Sequence, residues 1–82
     1  MNERDIILNK LYEKSSGAVA SMVLTDKAFG DECGIADQNI LNNLLLELRD
    51  MGYIKVVSVF IRGVEVVYDA ALTTAGKLHL GH

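Results

Sequence analysis

Gly34 does more than any other residue to limit what this chain can fold into. It stands between two apolar-patterned segments, with too few residues on either side for anything but a tight reversal. Downstream, Asp37 is a natural cap, and Ile40, Leu41, Leu44, Leu45, Leu48 and Met51 recur at the three- and four-residue spacing of one helix face. Gly52 follows as a stop, so a helix is predicted from just after Asp37 to near Met51. Upstream, Thr25 is a good cap for a helix from Asp26 to about Cys33, and Leu24 and Phe29 have the spacing of a hydrophobic staple. Gly30 lies four residues before Gly34, where two closely crossing helices need a small residue. Cys33 and Ile35 then point into a core on either side of the turn.

The rest of the chain supplies what these helices pack against. Asn2 to Ser15 reads as a first helix, with Asn2 as cap, acids in the first turn and Ile7, Leu8, Leu11 and Tyr12 on one arc. Ala18 to Leu24 reads as a loop and then a short strand at Met22–Leu24, with a helical extension as the alternative. Tyr53–Phe60 and Val64–Ala70 are rich in valine, isoleucine and aromatics around Ile61-Arg62-Gly63, a β-hairpin pattern. Leu72 to Leu78 reads as a return segment with a turn of helix.

The 82 residues suit one domain over 1–82, with a core small enough that a dimer partner would add stability. The composition is globular, half apolar and 23% charged. No apolar run approaches the roughly 18 residues of a membrane span, so no membrane association is expected. The charged, mixed start, Asn2-Glu3-Arg4-Asp5, is unlike a secretory signal. The single cysteine, Cys33, fits a reducing cytoplasm and excludes a cysteine-rich zinc site within one chain.

The order helix, short strand, helix, turn, helix, hairpin resembles the winged-helix family, an α+β fold with a three-helix core, a helix-turn-helix and a two-stranded wing. Met51-Gly52-Tyr53-Ile54 looks like the family's junction between third helix and wing. Leu72-Thr73 with Gly76 and Leu78 looks like its close after the wing. From Gly52 onward the layout is similar to YjcQ-like small winged-helix proteins of bacteria and phages. The turn from Gly34 to Asp37 departs from the family's common form by one residue, Ala36, which would tilt the third helix.

This resemblance implies duplex-DNA binding in transcriptional control, with the third helix in the major groove and the wing on the backbone. By position the contacts would be Gln38, Asn39, Asn42 and Asn43, whose amides can pair with adenine, and Lys27, Lys55 and Arg62 toward phosphates. Charge argues the other way. Eleven acids face eight bases, net −3, and the third helix carries Glu47 and Asp50 beside its one cation, Arg49.

The alternative is a non-catalytic protein-interaction or assembly module. Leu46 falls in the middle of the helix's polar face, and the hairpin lacks polar alternation, with Val57, Val59 and Ile61 on one face of its first strand and Val67 on one face of its second. A second copy or another protein would cover these residues, or the C-terminal segment would fold back over them. No enzyme, metal site, cofactor or small-molecule ligand is expected. His79 and His82 lie near the end with no cysteine nearby, no catalytic carboxylate pair is indicated, and the glycines match no phosphate-cradling pattern.

Overall fold

A computed structural model of the chain describes residues 2–15, 20–21 and 27–81. Along the chain come α1 (Glu3–Ser15), β1 (Ala20–Ser21), α2 (Lys27–Glu32), α3 (Gln38–Asp50), β2 (Ile54–Ile61), β3 (Val64–Leu72) and α4 (Thr74–His79). The strands form one antiparallel sheet in the order β1-β3-β2. The result is a small α+β domain, a helix bundle with an antiparallel hairpin, and its topology is compatible with a winged-helix-like fold. The short strand expected at Met22–Leu24 has its described pairing earlier, at Ala20 and Ser21. Residues 22–26, including the Thr25 cap and the Leu24 half of the staple, lie outside the described residues, as does the side chain of Lys27.

The helix boundaries follow local chemistry. Asn2 Oδ1 accepts from the Asp5 amide at 2.9 Å, and Asp37 Oδ1 accepts from Asn39 at 2.8 Å, so each cap satisfies an orphan helix donor. Helices α2 and α3 end in the same way. Ile35 N donates to Gly30 O and Gly34 N to Asp31 O; Tyr53 N donates to Leu48 O and Gly52 N to Arg49 O. This paired pattern needs a left-handed residue, and Gly34 (φ 75°) and Gly52 (φ 82°) provide it without a Cβ penalty. Gly30 is required for a different reason. A Cβ there would stand 2.8 Å from the Ile35 carbonyl oxygen, against backbone that is fixed by the turn.

The core joins Ile7, Leu8 and Leu11 of α1 to Phe29, Cys33 and Ile35 around the turn, to Leu41, Leu45 and Leu48 of α3, and to Ile54, Val67, Ala70 and Leu72 of the sheet. Helix α3 sits differently from its expected apolar arc. Ile40 and Met51 are about half exposed, while Asn42 is buried and Leu46 is partly buried against the core. On a wheel of 100° per residue the buried face is turned by roughly 70° toward Asn42, Leu46 and Arg49. The hairpin causes the turn, because it packs on that flank.

The hairpin reverses at Arg62-Gly63, both at positive φ (54° and 81°), the two-residue turn that matches strand twist. Val57 faces Asp69 but Ser58 faces Val67, so Tyr68 is the extra residue of a β-bulge. The return segment is a full short helix. Thr73 Oγ1 accepts from Gly76 N at 3.1 Å and donates to Gly52 O at 2.6 Å, and Thr73 N donates to Tyr53 O. A Cβ on Gly76 would run into the Tyr53 carbonyl. His79, expected at a loose end, stacks on Tyr53 with ring centroids 4.6 Å apart and meets Asp5 Oδ1 at 2.9 Å. Helix α4 therefore closes the root of the hairpin and leaves its tip uncovered.

Candidate functional site

Two surfaces carry the residues singled out by sequence: the start of α3 and the hairpin. On α3, Gln38, Asn39 and Asn43 are exposed, as expected. Asn42 is not. It is 8% exposed, its Nδ2 donates to Glu65 O at 2.9 Å, and its Oδ1 accepts from Val67 N at 2.8 Å. The outward placement read from the wheel is corrected here. The amide supplies one donor and one acceptor in the manner of a neighbouring strand, and it meets the edge of β3 beyond the described pairs with β1 at Asp69 and Ala70. Burying an amide is costly unless both its ends are paired, and here both are.

Leu46 is corrected as well. It lies against the core beside the hairpin rather than in open solvent. Val67 was expected on a free hairpin face and is instead 0% exposed. Its side chain shares the inner face with Ser58, opposite which it pairs, and its backbone is held by Asn42.

The cations give α3 no basic face. Arg49 Nη1 lies 2.7 Å from Glu65 Oε2, and Arg49 Nη2 lies 3.1 Å from Asp50 Oδ1. Hydrogen bonds to Asp50 first and Glu65 second raise the guanidinium pKa, against the opposing effect of burial. Ser58 Oγ donates to the same Glu65 carboxylate at 2.6 Å. That bond, with help from Arg49, holds the Glu65 carboxyl below its ordinary value, although partial burial pulls the other way. Arg4 reaches Glu47 at 2.6 Å and Lys10 reaches Glu13 at 3.4 Å. Among the described cations, Lys55, Arg62 and Lys77 are outside ion pairs. Arg62 is exposed at the hairpin turn. Lys55 is exposed on the sheet face that turns away from the core, so it does not join Gln38 and Asn39.

The hairpin presents the opposite chemistry. Val57, Val59 and Ile61 lie on the outer face of β2, each about half exposed, and Val64 stands beside Ile61. Phe60, on the other face, is 72% exposed. The expected outward positions of Val57, Val59 and Ile61 agree with this arrangement. Phe60 and Val64 extend it. Alternation puts Phe60 on the face of Ile54 and Val56, and in the register it stands opposite Glu65.

Two shallow clefts adjoin these surfaces. One, of about 190 Å³, lies between the start of α3 and β3, lined by Gln38, Asn39, Val64, Val66 and Tyr68. It is smaller than the roughly 300–1,000 Å³ typical of small-molecule sites. The other lies on the outer face at the root of the hairpin, lined by Lys55, Val57, Asp69 and Ala71. Among the described residues, no group of three or more His, Cys, Asp or Glu could hold a metal ion, and no helix is long and apolar enough to cross a membrane. No family model, curated protein or solved structure matches the chain, so the winged-helix-like description rests on its topology.

Proposed function

We propose that this chain is a non-catalytic protein-interaction module of winged-helix-like shape, and that its hairpin is the working surface. One observation carries the reading: Val57, Val59, Ile61 and Val64 are exposed on the outer face of the hairpin and Phe60 on its other face, on a domain whose acids exceed its bases. Exposed apolar surface of this kind marks sites of association. Photo-crosslinking from position 60 in the producing cell tests it. Discrete protein adducts are expected, and they are lost when Val59 and Ile61 are both changed to lysine. Absence of any adduct would overturn the reading.

DNA binding in transcriptional control is the second reading. The exposed amides of Gln38, Asn39 and Asn43 and the exposed Arg62 at the wing tip favour it. The ion pairs that occupy Arg49 and Arg4 weigh against it, because duplex affinity depends on cations free to displace counterions. An anisotropy titration with random duplex at low salt separates the two. Saturable binding that Arg62→Glu weakens, with a salt slope lower by about one, would put DNA first.

A further inference from the structure

We infer that the occupant of the hairpin surface is a second copy of this chain, which adds its own β2 antiparallel to β2 across a two-fold axis and continues the sheet. This rests on the interaction-module reading and names its partner.

The sheet order leaves β2 at an edge, and among the described residues nothing pairs with its outer side. Edge strands are normally blunted by brevity, charge, proline or a bulge. Strand β2 has eight residues, Ile54-Lys55-Val56-Val57-Ser58-Val59-Phe60-Ile61, with one charge and no proline, and the bulge residue belongs to its neighbour. The strand is also nearly the same read in either direction about Ser58. Antiparallel pairing centred there places Val57 opposite Val59 of the second copy and Val56 opposite Phe60. Lys55 falls opposite Ile61, so like charges do not meet.

The same register accounts for the shape of the surface. Ile61 projects at the outer face of the tip, and the shallow recess of Lys55, Val57, Asp69 and Ala71 lies on the outer face of the root. A two-fold axis through Ser58 brings each tip beside the other copy's root. Stacking two outer faces would instead leave Phe60 bare on the opposite side. Edge pairing covers apolar groups on both faces of β2. At roughly 100 Å² each, the four exposed apolar side chains of β2 offer about 400 Å² per copy, and the newly paired backbone edge brings the pair to the order of 1,000 Å², the smallest area expected of a specific interface. Interfaces at this low end of the size range belong to weak, transient association.

The test is sedimentation equilibrium on the whole chain, with amide exchange measured at low and high concentration. A dimer is expected by about 0.1 mM. Protection of alternate β2 amides should rise with concentration. Val59→Lys should weaken association at least about tenfold, and Val59→Thr should keep it. Val59 is exposed, so the thermal transition of the lysine variant at low concentration should match that of the parent. A parent chain that stays monomeric overturns self-pairing, as does a dimer that survives Val59→Lys with unchanged β2 amides. Neither result removes the interaction-module reading. That reading falls only if position 60 also gives no adduct in the cell.

Discussion

Along β3 the outward backbone groups are met twice, by β1 at Asp69 and Ala70 and by the Asn42 amide at Glu65 and Val67; along β2 no described residue meets them. The side chains differ in the same sense. Val67 of β3 is sealed from solvent, while Val59 of β2 is 44% exposed. The contrast teaches that described residues close one margin of this sheet, including a polar one taken from a helix, and that none of them closes the other, which is apolar. A closed margin contributes to folding. An open one adds little to the stability of a single copy and is available for association.

Three substitutions measure that contrast. Asn42→Leu keeps the volume but strands the Val67 amide and the Glu65 carbonyl, and it should cost about 2–4 kcal/mol. Urea unfolding with an unchanged slope would report this as a lower midpoint. Val67→Ala should cost about 2 kcal/mol, while Val59→Ala at low concentration should cost less than about 0.5 kcal/mol. Equal losses at the two positions would erase the difference between the margins.

Glu65 titrates across the closed side. Its folded pKa is depressed, so its contribution is present above the ordinary carboxylate value of 4.5 and is lost as the pH falls through the lower folded value. Glu65→Gln should therefore flatten the acid limb of the stability profile. The smallest effect belongs to the turn. Arg62 holds a left-handed conformation that asparagine adopts more readily, and Arg62→Asn should stabilise by a few tenths of a kcal/mol. A thermal melt at low concentration reads it.

Most of the frame was legible because its signals are local. Asn2 and Asp37 cap helices through their own side chains, Gly34 and Gly52 stop them through backbone conformation, and Gly30 is small because the turn returns over it five residues later. The Tyr53–Ala70 pattern located the hairpin, and alternation put Val57, Val59 and Ile61 on one shared face. Asn42 was not legible, since a wheel treats every amide as solvent-facing, and only the register of a strand 23 residues away reveals two backbone groups in need of a partner. Leu46 was missed for the same cause: the helix face is oriented by the hairpin, a long-range neighbour. Val67 was misplaced because alternation separates the two faces of a strand without saying which is covered. Arg49 could be seen as a cation, but its pairing with Glu65 depends on tertiary packing.

The clamp at Tyr53, where Thr73 bonds to the carbonyl, Gly76 fits beneath it and His79 lies on the ring, gives the hairpin the mechanics of a beam built in at one end. Loads applied at Arg62 and Gly63 bend the end at Ile61 and Val64 first and then reach α3 at Glu65 and Val67, where Asn42 and Arg49 hold β3. Reach and stability thereby become separate design variables, and residues inserted in pairs at the turn would lengthen the arm while the anchorage stays as it is.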